Sequence, residues 1–364
     1  MQALVIGSFE PHERQVLRFA GGRAGTTLDF HELIETAMEP LTRTVVDVGC
    51  ILVSSEECGR VCSWVREDAR VFTVPIVALV AHASDATFRR AYNDGADDAM
   101  LRGDLGGITR RLANLKDRPI DTKPPATQGL AVIAFPDNPR RRVLGRTLRT
   151  AGFDVAYAAT SDELFHVARG MTTPALIVTH RLLPGAGGPG AIDTVRKLVS
   201  KPKLPALLLP ALPEEQVEVD LVEAADETGR LLFFAEEALR GDVSDLRASK
   251  RLLYNGLCAF REAGSLDPVF GLTHNISNQG LYVRTLDPPR PGSEVWFEMR
   301  VPGDMHSLVH LRGQVMWRRE ARHMGGAAPA GFGMRITEPT CPPQDLSLYS
   351  ESYEELGGHF REPH

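Results

Sequence analysis

Two arginines four residues apart, Arg247 and Arg251, flank Lys250 and open a stretch that closes on Asn275-Ile-Ser277-Asn-Gln-Gly280. Each guanidinium is a planar fork that donates two parallel hydrogen bonds to phosphate oxygens or a purine edge, and it also stacks flat on a base. The Asn amide and Ser hydroxyl add short polar groups, and the Gly lets backbone come close. This is equipment for holding a phosphate- and purine-bearing ligand. Equipment for breaking bonds is missing: there is no phosphate-cradling Gly-rich loop, no metal-ligand cluster and no nucleophile–base set. No catalytic residue and no metal ligand is therefore assigned.

Elements that could position those groups follow in order. Leu281-Tyr-Val283-Arg-Thr285 continues the second motif as a strand. Gly292-Ser-Glu-Val295-Trp-Phe297, Gly313-Gln-Val315-Met-Trp317 and Gly331-Phe-Gly333-Met-Arg335-Ile336 read as later strands. An R-x-x-x-R pair, then N-x-S-x-x-G about two dozen residues on, then these strands, resembles a PilZ domain over residues 246–340. The resemblance implies an antiparallel six-stranded β-barrel that binds cyclic di-GMP, a bacterial second messenger. It also implies that Arg247 and Arg251 clamp phosphate and guanine, while Asn275, Ser277 and Gly280 line the rest of the pocket. Asn275 stands where Asp is commoner in the family, which implies weaker binding rather than none.

Upstream, the chain repeats itself. Short apolar runs at Leu4-Val-Ile6, Cys50-Ile-Leu-Val53, Pro75–Val80 and Gly95–Leu101 alternate with helix-like segments, the pattern of a parallel sheet covered on both faces. Leu130–Ala134, Ala175–Val178, Pro205–Leu209 and Leu231–Phe234 repeat it, and Asp137-Asn-Pro139-x-x-Arg142 echoes Glu10-Pro11-x-x-Arg14. Each repeat resembles the receiver domain of response regulators, which implies a doubly wound, flavodoxin-like α/β fold. Receivers need an acidic pair for Mg²⁺, an Asp acceptor, a hydroxyl and a lysine. The first repeat offers Glu10, Ser54 or Ser55, Val80 and Arg102 at those places; the second offers Asp137, His180 and Pro210. Both are expected to be pseudo-receivers, unable to take a phosphoryl group and kept for packing and partner contacts.

The resulting division is a pseudo-receiver over 1–117, a second over 129–242, the barrel over 246–340 and a tail over 341–364. Asp117–Gly129, with three prolines and no periodicity, is a linker. Leu346, Tyr349, Tyr353 and Leu356 give the tail a short helix at core-packing spacing. Within a net charge of −6, residues 247–338 carry twelve Lys/Arg against eight Asp/Glu, an excess suited to a small anionic ligand and too slight for duplex nucleic acid. No apolar run is long enough to span a bilayer, the N-terminus reads as a strand, and the five cysteines have neither zinc nor disulfide spacing. The expected protein is a bacterial, cytoplasmic cyclic di-GMP receptor whose pseudo-receivers contact an unidentified protein partner. The alternative is a ligand-independent adaptor acting only through protein–protein contacts.

Overall fold

The computed structural model describes residues 1–43, 48–67, 74–116, 128–170, 172–185, 197, 206–209, 221–223, 231–233, 235–236, 251–301, 307–320 and 329–356. The chain divides into two compact units, one of residues 1–122, 247–323 and 329–364, the other of residues 123–246 and 324–328.

In the first unit, strands β1 (Gln2–Ile6), β2 (Thr27–His31), β3 (Val48–Ser54), β4 (Ile76–Val80) and β5 (Asp98–Leu101) alternate with helices. The helices are α1 (Pro11–Ala24), α2 (Ile34–Arg43), α3 (Cys58–Glu67), α4 (Asp85–Asp94) and α5 (Leu105–Lys116). All strand pairs are parallel, in the order β2-β1-β3-β4-β5 of a doubly wound sheet. The strand period of two explains the apolar runs. Leu4, Ile6, Ile51 and Val53 enter one core, while Ala3, Val5, Cys50 and Leu52 enter the core on the opposite face. Only the edge strand β2, half exposed along most of its length, lacks such a run.

The same unit holds an antiparallel barrel built from β11 (Leu252–Leu253), β12 (Leu257–Glu262), β13 (Val269–Ser277), β14 (Gly280–Arg284), β15 (Glu294–Arg300), β16 (Leu308–Arg319) and β17 (Gly331–Ile336). Six strands run β13-β12-β15-β16-β17-β14, and β14 pairs back onto β13 to close the ring; two-residue β11 adds to β13. Every second residue of β16 (Val309, Leu311, Gly313, Val315) points inward, beside Phe297, Phe332 and Met334. Helix α8 (Pro343–Glu355) lays Tyr349 and Tyr353, both fully buried, onto this core.

Barrel and α/β layer share more than a surface. Leu272 of β13 belongs to the core of Ile6 and Ile51, and Leu286 after β14 to that of Val5 and Leu52. Beneath them lies a buried ion pair, Arg111 Nε to Asp98 Oδ2 at 2.7 Å, with side-chain exposures of 2% and 0%.

The second unit repeats the winding with β6 (Leu130–Ala134), α6 (Asn138–Thr150), β7 (Asp154–Ala158), α7 (Ser161–Ala168), β8 (Pro174–His180), β9 (Ala206–Leu209) and β10 (Leu221–Glu223). The parallel order is β10-β9-β8-β6-β7, the counterpart of the first sheet. One expectation fails here. Leu231–Phe234 read as the last strand, but residues 231–233 and 235–236 are helical. Leu231, Leu232 and Ala235 are buried together at the i, i+1, i+4 spacing of a helix face, and β10 takes the strand position beside β9.

The buried pair yields the first prediction. Arg111→Ala strands the Asp98 carboxylate and is expected to cost about 3–5 kcal/mol. Its neighbour Arg110, 36% exposed, should cost no more than about 1 kcal/mol on the same substitution. Urea unfolding of both variants checks the contrast.

Candidate functional site

The pairing of β11 with β13 (Leu252 to Ile276, Leu253 to Asn275) carries Arg251 alongside the end of β13. There the chain turns through Asn278 and Gln279, so that Ser277 faces Gly280 across the hairpin. Ser277 Oγ donates to the Gly280 carbonyl at 3.0 Å, and Tyr349 Oη of α8 donates to the Ser277 carbonyl at 2.7 Å. The turn is thus held from inside and from behind. Gly280 is needed because a Cβ there would strike the Met334 carbonyl of β17. What its missing side chain demonstrably makes room for is the neighbouring strand.

Arg251, Asn275, Ser277 and Gly280 line one cavity of about 160 Å³, together with residues that the sequence motifs did not flag: Tyr282, Trp317 and Arg335. Arg247 lies outside the described residues. Trp317 stacks on Tyr282 with ring centroids 4.9 Å apart and planes inclined by 21°, and it stays 38% exposed. Two register shifts shape this wall, one between Thr273 and Asn275, the other between Val315 and Trp317. A bulge re-aims the side chains after it, which sets Trp317 opposite Gly333. A Cβ at Gly333 would lie 2.5 Å from the indole, so only glycine leaves room for the ring.

His274, at the first bulge, is fully buried with its ring edge-on to Tyr282 at 5.7 Å. Burial, then the guanidinium charges of Arg284, Arg251 and Arg319, pull its pKa down from 6.5 to about 3. The wall behind the cavity therefore stays neutral at pH 7 while its rim is cationic, the polarity an anion with an aromatic base requires.

A larger cavity of about 530 Å³ lies elsewhere in the same unit, lined by Arg110, Arg261, Asp287, Arg318 and Glu320 among others. Its charges are largely used internally. Arg110 pairs with Asp287, Arg318 with Glu320, and Arg261 lies over Trp296 at 4.2 Å. Size favours this cavity, but chemistry favours the smaller one.

The residues weighed against the receiver pattern make local contacts within their own layers. Glu10 caps α1 in a reciprocal arrangement with Glu13, and Asp137 caps α6 by accepting from the Arg140 amide at 3.2 Å. Ser54 is 1% exposed. Arg102 lies over the Phe9 ring at 5.4 Å and pairs with Glu56 and Glu13, so its charge is already compensated. His180 Nδ1 accepts from the Leu182 amide at 3.1 Å, and its ring packs edge-on against Phe135. Pro210 lies outside the described residues.

Residues 245–345 match the family model of the PilZ domain. No curated protein matches the chain. Among solved structures, the chain is similar to the Bacillus subtilis inhibitor of motility at 14% identity and a TM-score of 0.24, over 30% of this chain and 50% of that one. It is similar to a response regulator of red light signalling in R. palustris at 14% identity and a TM-score of 0.28, over 34% of this chain and 96% of that one. It is similar to the PilZ domain of YcgR from Escherichia coli, solved with c-di-GMP, at 13% identity and a TM-score of 0.21, over 31% and 98%. The PilZ match associates the chain with cyclic di-GMP signalling.

Two predictions follow from these environments. His274 is neutral when folded and takes a proton readily when unfolded. Stability is therefore intact above pH 6.5 and is lost as the pH falls from about 6.5 toward 3, by up to about 1.4 kcal/mol per pH unit. Urea unfolding at pH 7 and pH 5 should show this loss in the native chain and a smaller one in His274→Gln. Second, acetyl phosphate with Mg²⁺ should leave the intact mass unchanged; a mass gain mapped to residues 50–60 or 175–185 would show a working acceptor.

Proposed function

We propose that the protein is a cyclic di-GMP receptor and effector: the barrel takes the ligand, and the receiver-like repeats carry the outcome to a protein partner. One observation carries the reading. The N-x-S-x-x-G residues, Arg251 and a stacked Tyr282–Trp317 pair converge on a single cavity. At 160 Å³ it is smaller than the roughly 300–1,000 Å³ of a pocket that encloses its ligand. It is a shelf for one base and its phosphate, with Arg251 and Arg335 on the rim and the Trp317 face open to a purine.

The reading keeps residues 1–117, 129–242 and 246–340 as modules with a helical tail over 341–364, and assigns Arg247 to the clamp with Arg251. It gives the chain no catalytic role and places its work in the cytoplasm; no helix among the described residues is long and apolar enough to cross a membrane.

Calorimetric titration with cyclic di-GMP tests it. Arg251→Ala removes a charge-assisted contact of about 1.5–3 kcal/mol, so affinity should fall roughly ten- to a hundredfold with little change in unfolding midpoint. Arg251→Lys keeps the charge but not the fork and should also bind weakly. Trp317→Ala should lose about 1–3 kcal/mol of base stacking, and Ser277→Ala less than either. Native protein that takes up no cyclic di-GMP at high micromolar concentration would instead favour the adaptor reading.

A further inference from the structure

The pocket hairpin has its tip and its roots in different surroundings. At the tip, Asn275, Ser277, Gly280 and Tyr282 line the cavity. At the roots, about 13 Å away along β14 at ~3.3 Å per residue, both strands are gripped by side chains of the first α/β layer.

The grip is specific. Asp98 Oδ2 accepts from the Leu286 amide at 2.7 Å and from Arg111 Nε at 2.7 Å, with Thr285 Oγ1 at 3.4 Å. Its Oδ1 accepts from Tyr92 Oη at 2.8 Å. The Arg284 guanidinium lies over the Tyr92 ring at 4.3 Å. Arg111 Nη2 reaches the Phe270 carbonyl of β13 at 3.2 Å. Farther out, Asp287 accepts from Arg110 Nε at 2.8 Å and Asn114 Nδ2 at 2.9 Å. Asp98, Arg284 and Thr285 are 0%, 5% and 0% exposed.

We propose that Tyr92, Asp98 and Asp287 are positioning residues for the barrel's ligand pocket, holding the roots of the β13–β14 hairpin so that its tip is preformed. This rests on the receptor reading above. The physical reason is that side chains and loops ordered only at binding subtract from affinity, so a hairpin fixed beforehand binds more tightly. Linkage then makes the effect reciprocal: a ligand at the tip must tighten the contacts at the roots by the same factor. A residue that touches no part of the cavity would thereby set its affinity, and the first α/β layer would register occupancy through Asp98.

The test avoids Asp98 itself, whose loss strands buried Arg111. Tyr92→Phe deletes one hydroxyl and keeps the ring under Arg284; Asp287→Asn removes one peripheral ion pair. Full-length protein and both variants are titrated with cyclic di-GMP, with urea unfolding as the control for stability. Both variants should bind roughly five- to twentyfold more weakly, within the usual range of coupling between sites. Asp287→Asn should keep the native unfolding midpoint, whereas Tyr92→Phe, which withdraws a donor from buried Asp98, should lower it without unfolding the chain. In the native protein, saturating ligand should slow hydrogen exchange at the Leu286 and Ala99 amides, both bonded to Asp98, more than at Leu4 and Val5 of β1. General stabilisation would slow all four equally. Unchanged affinity in both variants, with uniform slowing, overturns the positioning role and leaves the receptor reading standing. Native protein that takes up no ligand overturns both.

Discussion

A carboxylate with no exposed surface has to be answered on every side, and Asp98 is answered from two elements of the α/β layer and from the barrel. Tyr92 and Arg111 reach it from α4 and α5, and the Leu286 amide reaches it from the segment after β14. Such a site stabilises only when complete, since losing one partner leaves a buried charge or dipole without compensation. The first α/β layer and the barrel therefore close as one unit although they are far apart in sequence. The neighbouring Asp97 works differently, tying Arg66 and the Ile76 amide together inside the layer. Of two adjacent acids, one secures the sheet and the other secures the barrel to it.

That union decides what the pocket is made of. A closed barrel has no free edge, so an opening for ligand comes from its irregularities: two register shifts, a two-residue turn and a glycine beneath an indole. α8 supports the turn from behind through Tyr349, and the first α/β layer supports the other end of the hairpin. Strands form the floor of the cavity, Arg251 and Arg335 are on its rim, and the stacked rings of Tyr282 and Trp317 form its wall. None of Glu10, Asp137 and Arg102 lines it. Glu10 and Asp137 survive as helix caps, and Arg102 is neutralised by carboxylates of its own layer.

The central strands were legible because a strand buried on both faces must be apolar throughout, and Leu4–Ile6, Cys50–Val53 and Ile76–Val80 are. β2 and β7 escaped notice because they are edge strands, Thr27–His31 and Asp154–Ala158, whose outward positions are polar or half exposed. Residues 231–233 misled because a short apolar run has no period of its own. In the site, Arg251, Asn275, Ser277 and Gly280 were visible as motif letters. Tyr282 and Trp317 were visible only as strand residues, since they meet only once β14 and β16 both pair with β17, which sets Tyr282 and Trp317 on either side of Gly333. The Asp98 contact had a sequence trace in Gly95-Ala-Asp-Asp98, but its partners at 285 and 286 lie almost two hundred residues away.

The most direct measurement follows the one tryptophan that lines the cavity. Of the three in the chain, Trp64 and Trp296 can be replaced by Phe, leaving Trp317 as the sole reporter. Guanine stacking on its open face should quench its fluorescence saturably as cyclic di-GMP is added, and Arg251→Ala in the same background should shift that curve to higher concentration. An emission spectrum that stays constant while calorimetry shows the ligand binding would contradict the account, because the ligand would then sit somewhere other than this cavity.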